Sequence, residues 1–121
     1  MELAKTYRFE AAHWLPHVPD GHQCGRPHGH SYEISVHVEG PVGEHTGWVM
    51  DFGDISAVVK PVVAQLDHRC LNDVPGLKNP TSESLARWLW EKVRPDVPLL
   101  SAVTVRETAT SSCTFRGPEP E

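Results

Sequence analysis

The chain has 121 residues, 39% of them hydrophobic and 22% charged, with a formal net charge of -5, the profile of one globular domain that can bury a core without disulfides or a structural metal. An acidic balance with no basic stripe argues against nucleic acid as a partner, because affinity for phosphate backbones rests on Lys and Arg, and leaves a small molecule as the expected ligand. No apolar run reaches the roughly 18 residues of a membrane span, the opening MELAKTYRFE lacks the basic start and apolar stretch of a signal peptide, and Cys24, Cys70 and Cys113 suit reduced thiols better than a disulfide framework, so a cytoplasmic protein with no membrane partner is expected.

In the first segment Leu3, Tyr7, Phe9, Ala11 and His13 share one face of an extended chain, with Lys5 among them. Residues 30 to 39, HSYEISVHVE, alternate cleanly, with His30, Tyr32, Ile34, Val36 and Val38 on one side and Ser31, Glu33, Ser35, His37 and Glu39 on the other, which is the period of a strand with one buried face. GPVGEHTG makes a turn, WVMDF a short extended piece, and the next GD opens a helix whose inner stripe is Ile55, Val58, Val59, Val62, Val63 and Leu66. Pro61 lies inside that stripe and should kink the helix at a cost of about 3 kcal/mol relative to a good helix former.

LDHRCLNDVPGLKNP is too polar and punctuated for regular structure and reads as a loop. NPTSESLARWLWEKV predicts a second helix, capped by Asn79 or Thr81, with Leu85, Ala86, Leu89 and Val93 facing inward. Two strands follow, LLSAVTVRETAT and SCTFRG. The expected class is α+β in ββααββ order, a four-stranded antiparallel sheet with both helices on one face, forming a single domain over residues 1–117 with a loose tail over 118–121.

The chemistry concentrates in CGRPHGH, residues 24 to 30. His28 and His30 stand two apart on a strand, so both imidazoles point to the same face, and His13 supplies a third if the first two strands form a hairpin with their histidine ends together. Residues 14 to 27 then cap the site. Three imidazoles with a vacant fourth position are the arrangement of catalytic zinc, and nitrogen donors favour Zn2+ over magnesium or calcium. Paired surface histidines on a turn are the bland alternative, which a His-x-His on the buried face of a patterned strand does not suit.

Cys24 admits two readings: a fourth ligand that closes the site and makes the metal structural, or a free thiol whose pKa falls beside a cation. Asp67 and His68, just past the first helix, read on position alone as a helix-terminal charge pair. Glu107 shares its face with Val103 and Val105, so alternation places a carboxylate on an apolar face, where it needs a ligand with adjacent N–H donors or a neighbouring Arg.

FEAAH with His13, CGRPHGHSY, MDFGD, LDH, NPTSE and RET occur in the order found in the 6-pyruvoyl- and 6-carboxy-tetrahydropterin synthase superfamily, which the chain resembles over nearly its whole length. The resemblance implies the T-fold, with trimers closing a continuous antiparallel barrel and two trimers stacking into a homohexamer, an assembly that removes exposed sheet edges. It implies that His13, His28 and His30 hold catalytic zinc and that Cys24 is the catalytic thiol, with Asp67 and His68 of a neighbouring subunit as its proton-transfer partners. Glu107 becomes the anchor for the pterin N–H and 2-amino groups, and Thr81 and Ser82 line the pterin pocket. Three residues, Gly25, Arg26 and Pro27, separate Cys24 from His28. That interval resembles the 6-carboxy-tetrahydropterin synthases of 7-deazapurine (queuosine) biosynthesis more than the pyruvoyl-forming branch, whose interval is longer. The implied reaction converts 7,8-dihydroneopterin triphosphate to 6-carboxy-5,6,7,8-tetrahydropterin with release of acetaldehyde and triphosphate. The rival readings are the pyruvoyl-forming synthase and a non-catalytic zinc module closed by Cys24.

Overall fold

A computed structural model describes residues 1–118; beyond Pro118, the tail expected over 118–121 lies outside the described residues. Strand β1 (Glu2–His13) and strand β2 (His28–Glu39) pair antiparallel along their full length, from Glu2 opposite Glu39 to His13 opposite His28. The alternation sets this register: Phe9, Ala11 and His13 on β1 and Tyr32, Ile34, Val36 and Val38 on β2 are buried on one face, whereas Arg8, Glu10, Ser31 and Glu39 on the other are exposed. Lys5 lies on the covered face as the pattern implies, and is half-buried.

No strand forms over WVMDF; Asp51 caps helix α1 (Phe52–Ala64) by accepting from the Gly53 N–H at 2.8 Å. The helix continues through Pro61, which lacks the donor that the Ala57 carbonyl would otherwise receive. It then tightens, with the Leu66 N–H donating to the Val63 carbonyl at 2.9 Å. Ile55, Val59, Val62 and Leu66 of the expected stripe are buried, and Val58 and Val63 pack partly against them.

The segment expected to be a plain loop contains a fifth strand, which corrects the four-stranded antiparallel sheet. Strand β3 (Arg69–Cys70) pairs parallel to β1, Ala11 opposite Arg69 and Ala12 opposite Cys70, before a 3-10 turn at Leu71–Asp73. Helix α2 (Ser82–Val93) starts at Thr81, whose hydroxyl accepts from the Ser84 N–H at 3.1 Å, which settles the choice between Asn79 and Thr81. Its inner face holds Leu85, Ala86, Leu89 and Val93 as the spacing predicts, with Trp88 added.

Strands β4 (Leu100–Thr108) and β5 (Ser111–Phe115) complete a mixed sheet of order β3-β1-β2-β4-β5. Helix α2 packs on β4 and β5, α1 packs on β1, and the helices touch each other, so the core lies between them and one face of the sheet. The class is α+β. Among the described residues no helix is long and apolar enough to cross a membrane.

Candidate active site

The hairpin brings His13 and His28 side by side at one end of the covered face, and His30 follows one pleat later. Ring centroids are 4.6 Å apart for His13 and His28, 4.9 Å for His28 and His30, and 5.0 Å for His13 and His30. Glu107, near the end of β4, joins them, and the four residues offer donor atoms all within 4.8 Å of one another. Cys24 is not a member of this group.

The hydrogen bonds show how these imidazoles are held. His13 is 1% exposed, and its Nδ1–H donates to the Pro80 carbonyl at 2.8 Å, with the Tyr32 hydroxyl 3.1 Å away. His28 Nδ1–H donates to the Arg26 carbonyl at 2.6 Å. A proton on Nδ1 leaves Nε2 as a bare lone pair, the tautomer a metal ligand needs, and backbone carbonyls that fix it also fix the ring's aim.

Glu107 Oε1 lies 2.8 Å from His13 Nε2 and 3.2 Å from His30 Nε2. Neither contact has hydrogen-bond alignment, and both nitrogens count as buried atoms without a hydrogen-bond partner. The distances alone suggest ion pairs; the misalignment argues otherwise, because a protonated imidazole would turn its N–H onto the carboxylate. Lone pairs and a carboxylate converging on one small volume suit a cation, and the residues therefore fit zinc.

Burial holds the His30 imidazole below its ordinary value of 6.5, opposed by Glu107 and reinforced by His13 and His28. The folded chain thus binds fewer protons than the unfolded one as pH falls below that value. The stability it contributes is complete above 6.5 and is lost as pH drops through the lowered folded value. Urea denaturation of the metal-free protein at about pH 7.5 and about pH 5 should show this loss, and His30→Asn should flatten it.

Sequence reasoning placed Glu107 on the apolar face but not among the imidazoles. The structure leaves its side chain 29% exposed, so the carboxylate is less buried than alternation implied. It also lines a groove of about 350 Å³ with Ser82, Glu83, Ser112 and Cys113. The Thr81 hydroxyl is engaged at the helix start, accepting from the Ser84 N–H and donating to Ser84 Oγ, so Ser82 is the residue of that pair on the groove wall. Burial, then Glu83, pushes the Cys113 thiol up, which makes it a neutral part of the wall.

Cys24 sits in a short 3-10 turn over Gln23–Gly25, half-buried, its N–H donating to His22 Nδ1 at 3.0 Å and its carbonyl accepting from the Leu15 N–H at 2.8 Å. Asp67 and His68 stand on the outer edge of β1. The Glu10 N–H donates to Asp67 Oδ1 at 3.0 Å and the His68 N–H to the Glu10 carbonyl at 2.6 Å. That first bond, with help from His68, holds the Asp67 carboxyl below the usual carboxylate range. His68 has φ 58°, a left-handed conformation rare for a side chain of this size. Its Nδ1 is 2.9 Å from Asp67 Oδ1, and its side chain is 78% exposed. The imidazole is thus exposed beside the Asp67 carboxylate rather than packed into its own chain's core. Neither residue joins the histidine group within one chain.

The fold and site together define a class: an α+β sheet protein with three imidazoles and a carboxylate gathered in the manner of a metal enzyme. The 6-pyruvoyl tetrahydropterin synthase family profile matches residues 2–118, and the chain belongs to this family. It is 44% identical to a 6-carboxy-5,6,7,8-tetrahydropterin synthase of Synechocystis, over 96% of this chain and 93% of that one. It is also 44% identical to a dihydroneopterin monophosphate aldolase of Pyrococcus furiosus, over 81% of each chain. The solved 6-pyruvoyl tetrahydropterin synthase of Caenorhabditis elegans superposes with a TM-score of 0.90 at 28% identity, covering 98% of this chain and 96% of that one. The fold is the T-fold, and the chain is a pterin-synthase-family enzyme.

Proposed function

We propose that the chain is a zinc-dependent 6-carboxy-5,6,7,8-tetrahydropterin synthase, a carbon–carbon lyase of 7-deazapurine (queuosine) biosynthesis. It takes 7,8-dihydroneopterin triphosphate and water to 6-carboxytetrahydropterin, acetaldehyde and triphosphate. The observation that carries this reading is the pair of buried Nε2 atoms on His13 and His30, unpartnered and facing one point with Cys24 outside the group. Likeness to the Synechocystis synthase over nearly the whole chain supports the choice of branch.

In this reading His13, His28 and His30 hold the metal. Bound zinc supplies Lewis acidity to oxygens of the substrate side chain. Glu107 accepts from the pterin N–H and 2-amino group, and Ser82, with Thr81 behind it, lines the ring pocket. Cys24 removes and returns protons at the side-chain carbon next to the ring. His68, oriented by Asp67, completes the proton path from a neighbouring subunit. Its place on the outer edge of β1, outside its own chain's histidine group, agrees with that arrangement, and membership of the family is the ground for a homohexamer built as a dimer of trimers. A cytoplasmic location agrees with three half-buried free thiols.

The Pyrococcus relative supports a second reading, an aldolase acting on dihydroneopterin monophosphate. Both reactions break the bond between the first and second side-chain carbons. The aldolase would leave 6-hydroxymethyl-7,8-dihydropterin and glycolaldehyde phosphate; the synthase leaves a carboxylated pterin and acetaldehyde. Zinc-loaded protein incubated with each substrate and followed by mass analysis separates them. 6-Carboxytetrahydropterin with acetaldehyde from the triphosphate is expected, and a hydroxymethyl or pyruvoyl pterin as the main product would overturn the assignment.

A further inference from the structure

We infer that Asn72 is a positioning residue for the metal centre: its carboxamide clamps the backbone of Trp14 and so fixes the chain between the ligand His13 and the thiol-bearing turn at Cys24. The inference rests on the metal reading above and goes beyond it, because Asn72 touches neither the imidazoles nor the groove.

The argument begins at the edge of the sheet. Strand β3 pairs with β1 only at Ala11 and Ala12. One residue later the chain leaves the sheet, because Leu71 is fully buried and the backbone folds into a 3-10 turn. The outer edge of β1 would then have no partner just where it delivers His13.

Asn72 fills that place with its side chain. Its Oδ1 accepts from the Trp14 N–H at 3.0 Å, and its Nδ2 donates to the Trp14 carbonyl at 2.8 Å. A carboxamide has the donor and acceptor of a peptide group, so the pair reproduces one more rung of ladder without any strand backbone. The Cys70 thiol adds a weak donation to the same oxygen at 3.7 Å.

The two neighbours of Trp14 show what the clamp controls. On one side His13 is paired with His28 across the hairpin, so its backbone is held by β2 on one edge and, one residue on, by Asn72 on the other. On the other side the Leu15 N–H donates to the Cys24 carbonyl at 2.8 Å. The exposed loop over residues 14–27 is thereby tied down at both ends, one leading from a metal ligand and the other carrying the thiol. Trp14 itself is 38% exposed and lies outside the buried core cluster.

The test compares Asn72→Ala and Asn72→Leu, which remove both bonds, with Asn72→Gln, which keeps both groups at a longer reach. Val38→Ala, a core change at the far end of β2, controls for general loss of stability. Zn2+ affinity is read by competition with a chromophoric chelator, and thermal stability is read on the metal-free chains. Alkylation of Cys24 by iodoacetamide on the loaded proteins is followed by peptide mass analysis.

Asn72→Ala and Asn72→Leu should bind zinc about tenfold more weakly, within the range seen when groups supporting metal ligands are removed. They should also alkylate several-fold faster at Cys24, with Asn72→Gln intermediate and Val38→Ala unchanged in both. If Asn72→Ala does not fold, the near-isosteric Asn72→Leu carries the comparison. Wild-type affinity in Asn72→Leu, or an equal affinity loss in a Val38→Ala chain of matched stability, overturns the positioning role and leaves the metal centre standing. A wild-type chain that binds no zinc overturns the metal centre, and this role with it.

Discussion

His28→Ala should release zinc from the site and lower turnover about a thousandfold while leaving the chain folded. His28 is the ligand to choose for this experiment because it is half-buried at a strand end and its one side-chain bond is to the Arg26 carbonyl. His13, at 1% exposure and bonded to Pro80, would leave a cavity in the core if truncated and so confuse loss of metal with loss of fold. The magnitude follows from the several kcal/mol a Lewis acid contributes, at 1.36 kcal/mol per tenfold in rate. Metal content by elemental analysis, circular dichroism and initial rates check the three parts. Retention of stoichiometric zinc with full activity would remove His28 from the ligand set.

Cys24→Ala should behave in the opposite way, keeping zinc at wild-type affinity and losing turnover by about 10² to 10⁴, the range for a positioned general acid or base. The structural ground is that His13, His28 and His30 converge, with Glu107 beside them, without the Cys24 sulfur. Its backbone is nevertheless anchored through the Leu15 and His22 contacts, so alanine keeps the turn and deletes only the thiol. Loss of metal in this variant would instead favour the closed, structural site.

Much of this arrangement is legible in the sequence because strand alternation is a strict signal. The face shared by Phe9, Ala11 and His13 and that shared by His30, Tyr32 and Ile34 are enough to define a hairpin, and the hairpin puts His13 opposite His28. What escapes has tertiary causes. Strand β3 is two residues long and carries no period, and its parallel pairing depends on where α1 delivers the chain. Glu107 was legible as a carboxylate on an apolar face, but meeting the imidazoles requires β4 to lie beside β2 in the register that pairs Glu33 with Arg106.

The carbonyls of Pro80 and Arg26, which select the histidine tautomers, are main-chain groups that residue type cannot announce. Asn72 hides for a similar reason, since an Asn in a polar turn reads as turn chemistry until the backbone it reaches is known. His68 shows the limit most plainly. Its position after a helix suggested a charge pair with Asp67, and the two do lie 2.9 Å apart, but the left-handed backbone and the anchoring to Glu10 have no sequence signal.

X-ray absorption at the zinc edge of the loaded, ligand-free protein tests the central claim most directly. The account predicts a first shell of nitrogen and oxygen alone, at about 2.0 to 2.1 Å. A sulfur neighbour at about 2.3 Å would place Cys24 on the metal and contradict it.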